Sequence, residues 1–125
     1  MPMKSHDMAV LLGLALPDWR GLNYASLATR LRLSASETHA AVKRGIAAGL
    51  VADGQSRRPL AGPLKEFLVH GMRYAFPPVL GGSTRGVPTA YAAPSMRDAF
   101  GHVDGPPPVW PYAGANAIRG LSFEP

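Results

Sequence analysis

The sequence predicts a mainly α-helical fold with a small β wing, followed by an irregular, Pro/Gly-rich C-terminal segment. Residues 1–76 carry apolar side chains at helical spacing. Within them, a short apolar run followed by a polar turn and two arginines predicts the wing. Nine of the 13 prolines lie in residues 77–125, where no regular period persists. We expect that segment to pack on the helical region or on a partner, without forming a second independent domain.

The first helix is predicted near the N-terminus. Ser5 or Asp7 can cap it, and it runs to about Leu16 before the break at Pro17–Gly21. Its residues are apolar almost all round, so we expect it to be buried on several sides.

The second helix has one apolar and one polar face. The apolar side chains are Leu27, Ala28 and Leu31, which share one face at helical spacing. The side chains left outside are Thr29, Arg30 and Arg32. This pattern is typical of an amphipathic helix, and Leu33 closes the turn that follows it.

The third helix is predicted to begin at a capping box. The Ser34 hydroxyl can accept the Glu37 amide while the Glu37 carboxylate returns to the Ser34 amide. Gly49 can take the left-handed conformation that ends the helix. The outer face, with His39 at its border, comprises Ser36, Glu37, Ala40, Lys43, Arg44 and Ala47.

The wing is expected over residues 50–60. Leu50 and Val51 lead into it, residues 53–56 offer a tight turn, and Arg57 and Arg58 lie on the returning arm. Two adjacent arginines there suit contact with phosphates.

A last helix is predicted to follow the wing. Pro63 fits its first turn, where the missing amide proton costs nothing, and Pro77 ends it. Its apolar stripe comprises Leu64, Phe67, Leu68, Gly71, Met72 and Ala75.

Residues 24–51 resemble the winged helix-turn-helix of MarR-type and Lrp-type bacterial regulators. The shared elements are a Leu-Ala in the second helix, a Leu-Ser entry to the third, a central valine and an Ala-Gly-Leu-Val exit. The resemblance covers roughly residues 5–75 and implies that the third helix enters the major groove while the wing touches the DNA backbone or minor groove. Residues 70–78 and 84–94 also resemble an uncharacterised subgroup of regulator-like proteins with no attached activity.

We therefore predict a set of DNA-binding residues. Lys43 and Arg44 are expected to contact base edges or phosphates, and the other arginines to contact phosphates. Glu37 is a capping residue first and an acceptor from cytosine second. The full predicted set is Arg30, Arg32, Ser34, Ser36, Glu37, His39, Ala40, Lys43, Arg44, Arg57 and Arg58.

Charge and composition point to an anionic partner. The net charge is +5 and the isoelectric point about 10.1, and residues 1–73 hold ten of the 13 Lys and Arg but five of the eight acids. Cysteine is absent, which is compatible with the cytoplasm. None of the four histidines pairs with another at helical spacing, so we expect no metal, and we expect no cofactor, no catalytic residues and no membrane span.

The sequence thus predicts a homodimeric, double-stranded DNA-binding repressor of transcription. Two alternatives stay open. One is a protein-interaction module or antitoxin that binds a partner through residues 77–125. The other is an enzyme whose site lies among His70, Arg73, Tyr74, Thr84 and Arg85.

Overall fold

A computed structural model describes residues 2–19, 21–54 and 56–124 of the chain. The chain divides into two compact units, Met1–Ala75 and Phe76–Pro125. Arg20, in the predicted break, and Gln55, in the predicted turn, lie outside the described residues. The first unit is helical with a short β-bridge, and the second holds the sheet, so a mainly α-helical fold with a small β component is correct.

Three helices open the first unit: α1 (Asp7–Ala15), α2 (Tyr24–Leu31) and α3 (Ala35–Ala47), with a 3-10 turn at Pro17–Trp19. The predicted capping box of α3 is confirmed. Ser34 Oγ accepts the Glu37 amide at 3.1 Å, and Glu37 Oε2 accepts the Ser34 amide at 3.2 Å. Asn23 caps α2 by accepting the Ser26 amide at 2.8 Å.

A short β-bridge follows α3. Gly49 has a φ of 77°, the left-handed value expected after the last helical turn. Val51 then pairs with Pro59, and the Ala52 amide donates to the Arg58 carbonyl at 2.8 Å. We call residues 50–60 the hairpin.

One long helix completes the first unit. It begins as α4 (Ala61–Glu66), passes through a π-helical turn (Phe67–Gly71) and ends as α5 (Met72–Ala75). It stops before Pro77, as predicted. The core of the unit is formed by Met8, Val10, Leu11, Leu14, Leu27, Ala28, Ala41, Val42, Leu50, Val51 and Leu64.

The second unit contains regular structure, so the prediction of an irregular segment is wrong. It holds β1 (Val79–Pro88), a 3-10 turn, α6 (Pro94–Phe100), β2 (Pro108–Pro111) and β3 (Ile118–Glu124). β1 is antiparallel to both other strands, and β2 and β3 are parallel, which closes the sheet on itself.

Glycine explains why these strands lack an apolar period. A side chain at Gly86 would collide with the Trp110 carbonyl, and one at Gly120 would collide with the Pro107 carbonyl. Glycine at these positions therefore permits close backbone approach rather than breaking the strand.

Helices α1 and α3 also meet at a glycine, which generates a stability prediction. A Cβ on Gly45 would lie 2.9 Å from both Leu11 Cδ2 and Val51 Cγ2. Both neighbours are buried, so neither side chain has room to move away. We expect Gly45→Ala to lower the free energy of unfolding by about 1–3 kcal/mol through overpacking.

Gly62 in α4 is the matched control, because a Cβ there meets nothing within 4 Å. We expect Gly62→Ala to raise the free energy of unfolding by up to about 1 kcal/mol. Urea denaturation of both variants measures the two effects. A stabilisation of equal size at Gly45 would show that the two helices are not in close contact.

Candidate nucleic-acid interface

One face of α3 is exposed along its whole length. Ser36, His39, Lys43 and Ala47 follow one another at successive turns, and all four are exposed. We call this row the α3 stripe. Ala40 lies beside this row and is half-buried. Ser36, Ala40 and Ala47 have small side chains, so another surface can approach α3 closely.

Arg44 does not belong to this face, and its predicted position in solvent is wrong. Its Nε donates to Asp7 Oδ2 at 2.7 Å and its Nη2 donates to Asp7 Oδ1 at 2.8 Å. The Arg44 side chain is 11% exposed and that of Asp7 is 0% exposed. Arg44 lies on the flank of α3 that faces α1, where it neutralises the one carboxylate of an otherwise apolar helix.

The pair changes the titration of both groups. Burial acts to raise the pKa of Asp7, but hydrogen bonds from Arg44 and the Lys4 amide, with the charges of Arg44 and His6, hold that pKa below its usual value. The hydrogen bond to Asp7 raises the pKa of Arg44 against the opposing effect of burial. Both groups are therefore ionised at neutral pH.

Tyr24 joins three parts of the first unit. Its ring meets the His39 ring edge-on, with centroids 4.8 Å apart and planes at 71°. The Arg57 guanidinium carbon lies 4.7 Å from the centroid of the same Tyr24 ring. Tyr24 thus brings the start of α2, the α3 stripe and the returning arm of the hairpin together.

Arg57 is engaged within the fold. Its Nη2 donates to the Leu22 carbonyl at 2.5 Å, and its backbone takes a left-handed φ of 49°. Tyr24 is not among the predicted site residues, because the pairing between residues 24 and 57 leaves no local signal. The only hint was an aromatic residue at the start of a helix.

Four other predicted cations have exposed side chains: Arg30, Arg32, Lys43 and Arg58. Arg30 lies 5.5 Å above the Trp19 ring, which restricts its orientation without burying its charge. Arg32 ends α2 with a left-handed φ of 56°. Arg58 follows Arg57 on the hairpin and is exposed.

Ser34 and Glu37 satisfy each other in the capping box, and Ser34 Oγ also lies 3.3 Å from Ser36 Oγ. Their first role is therefore to start α3. Of the enzymatic alternative, His70, Arg73 and Tyr74 are exposed on the last helix of the first unit, whereas Thr84 and Arg85 belong to β1 of the second.

Comparison of the chain with protein-family models, with curated proteins and with solved structures finds no match. Across the described residues, no helix has the length and apolar character needed to cross a bilayer. In the same residues, no three His, Asp or Glu side chains cluster in a way that could hold a metal ion.

The Asp7–Arg44 pair makes a prediction about stability. We expect Arg44→Met to lower the free energy of unfolding by about 3–5 kcal/mol, because it removes the guanidinium that neutralises a buried carboxylate. We expect the double variant Asp7→Leu/Arg44→Met to recover most of the loss, since it removes both charges together. Guanidinium denaturation near neutral pH measures both.

The pH dependence of the free energy of unfolding provides the control. Because folding lowers the pKa of Asp7, the stabilisation is complete above its unfolded value of about 3.9 and is lost as the pH falls through the lower folded value. The double variant lacks this contribution, so its stability should fall less in acid than that of the wild type. Parallel acid curves would contradict the assigned role of the pair.

Proposed function

We propose that the first unit is a winged helix-turn-helix that binds double-stranded DNA in the cytoplasm and regulates transcription. The observation that carries the proposal is that Tyr24 contacts both His39 and Arg57, which holds the hairpin beside the α3 stripe. α2 and α3 are joined by the short turn 32–34, as in a helix-turn-helix. In this proposal α3 lies in the major groove and the hairpin is the wing.

The charge distribution supports an anionic partner for this unit. Residues 1–75 hold ten Lys and Arg against five acids, and residues 76–125 hold three of each. The Asp7–Arg44 pair cancels internally. The excess positive charge is therefore carried by exposed side chains, which among the described residues are Lys4, Arg30, Arg32, Lys43, Arg58, Lys65 and Arg73.

The side chains of the proposed interface have two roles: some contact DNA, and others hold α3 and the wing in position. Lys43 and the polar side chains Ser36 and His39 lie on the α3 stripe, where they can reach base edges or phosphates. Arg57 positions the wing through Tyr24 rather than contacting phosphate. Arg44 positions α3 through Asp7.

We propose further that the second unit joins two copies of the chain. Exposed large apolar side chains are concentrated there: Val79, Leu80, Val87, Met96, Phe100, Val103, Trp110, Tyr112 and Ile118. Val109 is the large apolar side chain that the described part of this unit buries. A dimer that binds two half-sites on successive turns of the duplex needs its two α3 helices roughly 34 Å apart.

The same exposed side chains support the second candidate, an interaction module that binds a different protein. Trp and Tyr on a surface of zero net charge are typical of protein interfaces. The dimer is preferred because a neutral surface lets two identical copies meet without charge repulsion.

For DNA binding, we expect the logarithm of affinity for duplex DNA to fall with the logarithm of salt at a slope of about −3.6 per chain, the value for four phosphate contacts. Arg58→Ala should reduce the magnitude of that slope by about one, because it removes one contact. Fluorescence anisotropy with a labelled duplex over a salt series measures the slope.

Arg85→Ala is the matched control, since it removes the same exposed charge from the second unit. It should leave the slope unchanged. A slope near zero, or equal changes in the two variants, would show that this surface does not bind DNA.

For assembly, we expect the chain to sediment as a dimer and Trp110→Glu to shift it toward monomer, because a carboxylate would be buried in the interface. Val69→Glu changes an apolar residue of similar exposure in the first unit and should leave the dimer intact. A wild-type monomer would instead favour the interaction module.

A further inference from the structure

A groove in the first unit shares one described residue, Arg58, with the proposed DNA surface. It has a volume of about 620 Å³ and is bounded by α1, the end of the hairpin and α4 with the π-helical turn. This volume lies within the range of small-molecule sites, which is about 300–1,000 Å³. The groove therefore has room for a ligand larger than an inorganic ion.

The lining of the groove combines aliphatic walls with positive charge. Leu12, Leu60, Leu64 and Leu68 contribute hydrocarbon, and Arg58 and Lys65 contribute cations. None of the described residues that line it is an acid or carries an aromatic ring. The walls thus suit an aliphatic chain rather than a ring that stacks, and the two cations give the groove a positive charge.

We infer that this groove binds a small-molecule carboxylate with an aliphatic chain, such as a medium-chain fatty acid. The chain would lie along the leucines, where burial of hydrocarbon supplies most of the binding free energy. The carboxylate would accept hydrogen bonds from Arg58 and Lys65, whose charges strengthen such bonds. Leu12 is 43% exposed, so part of this apolar wall faces solvent in the free protein.

Arg58 belongs both to this groove and to the proposed DNA surface. A carboxylate paired with Arg58 withdraws that cation from phosphate, so the ligand should weaken DNA binding. This regulatory consequence rests on the proposed function, whereas the binding of the carboxylate does not.

The test is titration calorimetry of the full chain with sodium decanoate below its micelle-forming concentration. Decyltrimethylammonium is the matched probe, because it has the same chain and the opposite charge. We expect decanoate to bind at one site per chain and decyltrimethylammonium to show no binding. Equal binding of the two, or no binding of decanoate, would overturn the assignment.

Two variants locate the site. Leu12→Glu places a carboxylate in the groove, and Leu16→Glu makes the same change at a position of similar exposure that does not line it. We expect the first to abolish decanoate binding and the second to preserve it. Lys65→Met should weaken binding about tenfold, the effect of one lost charge-assisted hydrogen bond. Equal effects of the two glutamates, with circular dichroism showing both folded, would place the ligand elsewhere.

Duplex binding measured with and without decanoate separates the two proposals. If decanoate binds but no duplex does, the DNA-binding function fails and the ligand site stands. If duplex binds but decanoate does not, the ligand site fails and the DNA-binding function stands.

Discussion

The buried ion pair between Asp7 and Arg44 fixes the rotation of α3, and the proposed interface depends on that rotation. Two hydrogen bonds hold the Arg44 guanidinium against α1, and the neighbouring Lys43 is exposed on the adjoining face. On the other flank of α3, His39 meets Tyr24 of α2. α3 is thus held by the ion pair on one flank and by the Tyr24–His39 contact at the stripe itself, and Ser36, Lys43 and Ala47 are exposed. A helix held in this way presents a preformed surface, which spares the ordering cost of binding.

The parts of the fold that follow from local chemistry could be predicted from the sequence. The capping box is specified by residues 34–37 alone. The left-handed conformation after α3 is likewise predicted locally, from the glycine at position 49. The amphipathic pattern of α2 placed Leu27 and Ala28 inward, where the structure buries them. The predicted wing is short in the structure. Its described residues form one β-bridge, between Val51 and Pro59.

The parts that depend on contacts between distant residues could not be predicted. A helical wheel assigns Arg44 to solvent, because it contains no information about a carboxylate 37 residues earlier. The sequence contained one indication of the ion pair, because Asp7 is an acid in an otherwise apolar helix. A role as a helix cap explains an acid at that position equally well. The strands of the second unit could not be predicted for a related reason. Their glycines and prolines signal turns locally, and only the pairing of Gly86 with its neighbours shows why a strand needs them.

The central claim is that the α3 stripe and the hairpin together form the surface that meets duplex DNA. Amide chemical shifts of the ¹⁵N-labelled chain, titrated with a duplex at low salt, test it most directly. We expect the largest changes at Ser36, His39, Lys43 and Arg58, with small changes in α1. Changes confined to the second unit, or no change at any of these four residues, would contradict it.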